Sequence, residues 1–358
     1  MIFEEHAKLE WKAPAIDGRV CRLWREIVLN TPRAWAYLEI SSQRPPTTSN
    51  LLSWLDRSCA TPLHISVDTL EGHRTLSDLL RDSHTRIASL RMIMGNLSLF
   101  EGRDFPCLRL LDIKCWYLEH QSFSPFQWGA MPKLQSLRLP LTNSVATLLN
   151  SVAALKTLAL HSNRCFLPSR HSRSLVTLML HSVSLGDAIS GSVDFPSLTY
   201  LSLYHVSGLK PRINAPRLAT YHESRSTVHD SFSAPVPSLL EYGVCDLHTY
   251  HPDPLEWHRA FPNILRLSIR ANPPILISIF DSLAVQLHLL PALRMISAGT
   301  PKIRLTILEE QDQKMMDSLV RARSEACQLD LVLHFEMGRA SHIPLFFGDV
   351  RYCPSDDL

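Results

Sequence analysis

The sequence predicts an α/β solenoid: a curved parallel sheet on the concave side, with helices and irregular arms outside it. Three observations carry this: a recurring phrase, its narrow spacing, and a proline held at one place in it. The phrase is an apolar residue, a proline, then Leu-x-x-Leu-x-Leu, clearest from Phe195 to Leu203. It recurs at Phe105–Ile113, Met131–Leu139 and Phe261–Ile269, and more loosely at Val152–Leu160, Ser172–Leu180, Ala215–Glu223, Val236–Val244 and Leu290–Ala298. An early copy without the proline spans Ile87–Met92.

The first apolar position of each copy falls at 87, 108, 134, 155, 175, 198, 218, 239, 264 and 293, so successive copies lie 20 to 29 residues apart. The proline stands two before that position in seven of the ten copies. Composition alone would place about 0.7 there, so the proline belongs to the repeat. It lacks an N–H and restricts the residue before it, and is expected to end the incoming segment where a strand begins. Positions four and six of the phrase alternate as the inward face of that strand. Positions three, five and seven point the other way. A lone strand of this length cannot bury its apolar face, whereas stacked neighbours can. The period is that of leucine-rich repeats, to which the chain is similar. Two irregularities stand out. Asn at position nine, which closes the turn in the full pattern, is supplied only by Asn163 and Asn272, and Glu223 occupies an inward position six. An unpaired inward carboxylate is costly, so the rung that starts at Leu218 is expected to be distorted or turned outward.

Ahead of the repeats, Val20, Leu23, Trp24, Ile27 and Val28 recur with the spacing of an amphipathic helix, which Asn30-Thr-Pro32 stops. Pro32 suits the first turn of a restart. Residues 41–49 form a polar, proline-rich linker, after which Asn50 is expected to cap a helix carrying Leu51, Leu52, Trp54 and Leu55. Pro62 to Val67 then alternates as a strand with Leu63, Ile65 and Val67 on one face, the expected first rung. Asn143 to Ala154 reads as an inter-strand helical arm and Ile275 to Leu290 as a long convex-side helix. A polar helix from Glu309 to Ala326 and a strand from Leu329 to Leu333 form the expected C-terminal cap, with 352–358 frayed.

The order Val20-Cys-Arg-Leu-Trp-Arg-Glu-Ile27, Thr31-Pro-Arg-Ala-Trp35, Asn50 to Ser58 and Pro62 to Val67 resembles fungal F-box proteins with irregular leucine-rich repeats. The resemblance implies a partial F-box-like helical segment over 1–40, with Val20, Leu23, Trp24, Ile27, Pro32 and Trp35 as its residues. A solenoid over 50–358 would then be the substrate receptor of a cullin-type ubiquitin ligase. In that family a Leu-Pro-x-Glu-Ile helix opens the F-box and makes much of the contact with the ligase adaptor; residues 1–18 do not match it. In the intact family residues such as Trp24, Ile27 and Trp35 mainly hold the small helical domain together, and the same is expected of them here. Adaptor binding by the chain as it stands is expected to be weak or absent. Two readings therefore stand: a ligase substrate receptor whose first helix lies upstream, or a truncated or degenerate relative that binds a partner without ligase recruitment.

Composition narrows the remaining classes. A net charge of +2 argues against nucleic acid or an anionic membrane as partner. The eight cysteines form no CxxC pair and the N-terminus has no signal-peptide pattern, so reduced thiols and a cytoplasmic or nuclear location are expected. The most apolar run, 275–290, holds Asp281, Gln286 and His288 and is read as a buried helix rather than a membrane span. There is no H-E-x-x-H, G-x-S-x-G or phosphate-binding glycine loop. No enzyme, cofactor or metal site is expected. The outward positions carry Arg138, His161, His181, Tyr200, Tyr204, His222, Arg266 and Arg270 among small polar residues. Tyrosine, histidine and arginine in that setting suit a protein partner. His161 and His181, both at position seven, are read as part of an exposed polar stripe.

Overall fold

The computed structural model describes residues 2–41, 47–68, 83–93, 100–114, 129–140, 148–149, 152, 155–161, 172–185, 192–208, 212–224, 232, 234–247, 254–271, 273–286, 289–299, 321 and 332–336. The chain divides into two compact units, Met1–Ser162 and Asn163–Leu358. Within them the strands that follow the repeated phrase pair in parallel, as rungs of a solenoid.

The first unit opens with helices α1 (Ile2–Leu9), α2 (Ala13–Asp17) and α3 (Arg22–Leu29), a 3-10 turn (Pro32–Trp35) and strand β1 (Tyr37–Ile40). Helix α4 (Thr48–Arg57) leads into β2 (Leu63–Val67), followed by β3 (Ile87–Ile93), β4 (Leu110–Lys114), β5 (Ser136–Pro140) and β6 (Thr157–His161). All six strands pair in sequence order and in parallel. The ladder thus begins one strand earlier than the Pro62 segment, at β1. The cap of α4 also differs from expectation. Thr47, in extended backbone, accepts from Asn50 N–H through its hydroxyl, so Asn50 is an N3 residue rather than the cap.

In the second unit the main ladder is β7 (Thr177–His181), β10 (Tyr200–Tyr204), β13 (Thr220–Ser224), β14 (Glu241–Leu247), β15 (Arg266–Ala271), β16 (Met295–Gly299) and β17 (Val332–Glu336), all parallel. Short strands flank it: β8 (Ser184–Leu185) pairs with β11 (Ser207–Gly208), and β9 (Ser192–Asp194) with β12 (Arg212–Asn214). Helices α5 (Pro254–Ala260) and α6 (Pro273–Val285) form two of the returns. The strand expected at Leu329–Leu333 overlaps β17 at 332–333, where Leu333 pairs in register with Ile296, and its residues 329–331 lie outside the described residues. Asn163, Asn272 and 352–358 lie outside the described residues. So does the helix expected at 309–326, apart from Arg321, and so do residues 143–147 of the arm expected at 143–154; in that arm Leu148 and Leu149 are helical.

The register answers the phrase directly. Position three is aligned from Ser89 through Leu110, Ser136 and Thr157 in the first unit. In the second it runs from Thr177 through Tyr200, Thr220, Glu241 and Arg266 to Met295. Positions one and four are buried in all ten copies, and position six is buried wherever its side chain is described. The proline has a more exact role than the sequence suggests. In the copies at 105, 131, 195, 215, 236 and 290, the carbonyl of the residue before it accepts from the position-one N–H. Proline therefore occupies the first central place of a β-turn, where its fixed φ is already correct.

Spacing matches what fills four of the returns in the second unit. Intervals of 23 and 20 residues, after the copies at 175 and 198, hold short parallel strands. The longer intervals of 25 and 29 hold α5 and α6. A helix advances about 1.5 Å per residue against 3.3 Å for a strand, so a return of fixed length needs more residues when it is helical.

Glu223 overturns the expected distortion. Its strand keeps unbroken register with both neighbours, and the side chain is inward and 1% exposed. The Tyr221 hydroxyl donates to Oε2 at 2.9 Å and the Tyr242 hydroxyl donates to Oε1. Tyrosines at position four of two adjacent rungs supply the donors that an inward carboxylate needs. Phe232, Phe261 and Trp257 pack around the two phenol rings.

Candidate functional site

Two surfaces carry the residues singled out from the sequence: helix α3 in the first unit and the outward face of each strand ladder. Helix α3 begins at Cys21, whose sulfur accepts from Trp24 N–H, so Val20 precedes the helix. Of the apolar stripe only Val28 is buried. Leu23 is 62% exposed, Ile27 42% and Trp24 39%, with Val20 exposed beside them. This corrects the expectation that Trp24 and Ile27 hold the helical segment together. Trp24 makes one edge contact, with Phe3 of α1 at 5.3 Å.

Of the three residues expected in that role, Trp35 is the one in the core. Pro32 opens the 3-10 turn, which delivers Trp35 into the core. There the Trp35 indole N–H donates to the Val28 carbonyl at 2.8 Å. Its ring lies edge-on to Trp54 at 4.8 Å and under the Arg57 guanidinium at 4.5 Å. His6 of α1 pairs with the buried Asp17 of α2 at 3.1 Å. The amphipathic spacing was read correctly as a helix, but spacing does not say which body the apolar stripe faces.

On the outward face of the first unit, Arg138 pairs with Asp112 on the next strand at 3.4 Å, and His161 is exposed at the end of β6. Tyr37 and His64, adjacent in register on β1 and β2, stack at 4.8 Å and 12°. Burial drives the His64 imidazole down to about 4, and Lys8, Arg109 and Arg91 push in the same direction. It is neutral at physiological pH. Neither Tyr37 nor His64 was singled out from the sequence, because their strands precede the first recognised copy of the phrase.

The outward face of the second unit holds the denser group. Four successive strands contribute Tyr200, His222, Glu241 and Arg266. The Tyr200 hydroxyl lies 3.3 Å from His222 Nδ1, His222 Nε2 lies 3.5 Å from Glu241 Oε1, and Arg266 Nη1 lies 3.8 Å from Glu241 Oε2. Gly243 makes the row possible: a Cβ there would come within 2.6 Å of His222 Cδ2. The Glu241 carboxyl is held below its ordinary value chiefly by His222, with Arg266 adding and burial opposing. Burial and the Glu241 charge push the Tyr200 phenol up to about 12, so it stays a hydrogen-bonding hydroxyl at any physiological pH.

Beside this row His181 stacks on Tyr204 at 4.6 Å and 7°, and His205 packs edge-on against Tyr204 at 4.2 Å. Ser182 and His205 follow these strands in left-handed backbone, φ 53° and 51°, and turn the chain away. Met179, Ser202, Tyr204, Ser224 and Cys245 are buried although they are at outward positions. The exposed polar stripe expected here is thus half-closed: strands about 4.8 Å apart are nearer than two aromatic rings side by side, so the rings lie over their small neighbours. At its far side Arg266 is exposed and Arg270 half-buried. Among the described residues no group of three or more His, Cys, Asp or Glu is placed to hold a metal ion. Among them also, no helix is long and apolar enough to cross a membrane.

Comparison with protein-family models, characterised proteins and solved structures finds no match.

Proposed function

We propose that this chain is a protein–protein interaction module of the leucine-rich-repeat type, acting as the substrate-recognition subunit of a cullin-type ubiquitin ligase. The observation that carries this reading is the open apolar stripe of α3. Leu23, Trp24 and Ile27 stand on the segment that resembles an F-box, and the core beneath it closes without them around Trp35. Large apolar residues grouped on one exposed helix face mark a docking surface. The outward face of the second unit supports the receptor half of the reading, since Tyr200, Tyr204, His181 and His222 form a rigid aromatic and polar group of the kind that dominates interface energetics.

Titration of the purified cullin-ligase adaptor against the chain tests the proposal. Weak binding is expected, because one helical stripe buries little area, and Leu23→Asp or Ile27→Asp should abolish it while the fold remains. An adaptor that ignores both substitutions, or does not bind, removes the ligase and leaves a repeat scaffold for an unidentified partner.

A further inference from the structure

Strand β15 and its neighbours form a trough beyond the Tyr200–Arg266 row. Register aligns Gly243, Ser268 and Ser297 at position five of three successive rungs; the His222 ring lies over Gly243, so the open floor is Ser268 and Ser297, with no side chain larger than a hydroxymethyl group. The walls are position three, with Arg266, and position seven, with Arg270. The two arginines are on one strand face, four residues and about 13 Å apart, with Ser268 between them. Arg266 is 63% exposed and meets Glu241 only at 3.8 Å. Arg270 is half-buried and has no acidic partner among the described residues. Glu241 lies between His222 and Arg266, so among the described side chains of these walls two guanidinium groups face one carboxylate.

We infer that this trough takes an extended, acidic peptide segment of the protein partner, with Arg266 and Arg270 as the two carboxylate anchors. The inference rests on the reading of the outward face as a partner surface and names the chemistry of what it holds. An extended chain crossing the strands sends alternate side chains to opposite walls. Glutamate or aspartate side chains on both sides therefore meet a guanidinium each, and guanidinium is suited to bidentate pairing with carboxylate. The small floor matters as much as the charge, because it lets the peptide backbone approach the sheet.

The test is fluorescence anisotropy of the full chain with a short labelled peptide of glutamate and serine, against a matched lysine and serine peptide. The acidic peptide should bind, more tightly at low ionic strength, and the basic one should not. Arg270→Glu should weaken the acidic peptide by about tenfold or more and let the lysine peptide bind, a gain that a misfolded variant cannot show. Ser268→Phe leaves the charge alone and fills the trough, and should weaken the acidic peptide to a similar degree with an unchanged circular dichroism spectrum. Failure of the acidic peptide to bind the folded chain, or equal binding by all three proteins, overturns the inference. So does a single-stranded oligonucleotide that binds as well as the peptide and is indifferent to Ser268→Phe, since the patch is then only a cation cluster. The adaptor titration on α3 is independent of these outcomes, so loss of the peptide with adaptor binding intact sinks this inference alone.

Discussion

Glu223 shows how one residue can break the repeat pattern and keep the repeat. Its carboxylate sits where the other rungs hold Leu, Ile, Val, Met or Ala, and two phenol hydroxyls from adjacent rungs donate to it. Glu223→Leu restores the consensus apolar residue but leaves two buried hydroxyls short of an acceptor, each at about 1–3 kcal/mol. That substitution should therefore destabilise the chain in urea melts. Adding Tyr221→Phe and Tyr242→Phe should recover most of the loss, because a polar group and its partners removed together leave nothing unsatisfied. A Glu223→Leu protein more stable than the parent would mean that desolvation of the carboxylate outweighs both hydrogen bonds. From sequence alone Glu223 was visible as an intrusion and its partners were not. Tyr221 and Tyr242 pass as ordinary apolar fillers of position four until register brings them beside it.

At the scale of the element, burial separates residues that sequence pattern treats alike. Trp24 and Trp35 belong to the same N-terminal segment, yet Trp35 is in the core and Trp24 lies open on α3. Trp35→Ala should cost about 3–5 kcal/mol, since it removes a buried ring together with a hydrogen bond to Val28 and the contacts with Trp54 and Arg57. Leu23→Asp should change stability by no more than about 0.5 kcal/mol. Equal losses from the two in thermal melts would put the stripe of α3 inside the fold and rule out the docking role proposed for it. The strand positions were far more legible than this helix. Period-two alternation fixes which face of a strand is inward once neighbours stack, and ten copies, seven of them sharing one proline, leave little freedom of register. A helix stripe only says that one side differs from the other. The returns were less legible for a different reason: their form depends on the interval between rungs, and only the longer intervals accommodate α5 and α6.

For the whole molecule, three groups with displaced acidity set the pH range in which the folded chain is most stable. His64 is lowered from 6.5 to about 4 by burial and by Lys8, Arg109 and Arg91. Between those values the unfolded chain binds the proton more readily, so stability is full above about pH 6.5 and is lost as pH falls toward 4. Discounted for the part of the ring that water reaches, the loss is on the order of 2 kcal/mol. Glu241, lowered by His222 and Arg266, contributes in the same sense below its ordinary value of 4.5. Tyr200 acts at the other end. Its phenol is raised from 10.0 to about 12 by burial and by Glu241, so the folded chain keeps a proton that the unfolded chain gives up, and stability falls as pH rises through that interval. Urea midpoints measured across pH should therefore form a plateau between about 6.5 and 10 with a fall on each side. His64→Gln should flatten the acid limb above pH 4 and leave the alkaline limb unchanged, and Tyr200→Phe should do the reverse. An acid limb that survives His64→Gln would mean that the ring is solvated rather than buried against Tyr37, and that other groups carry the acid transition.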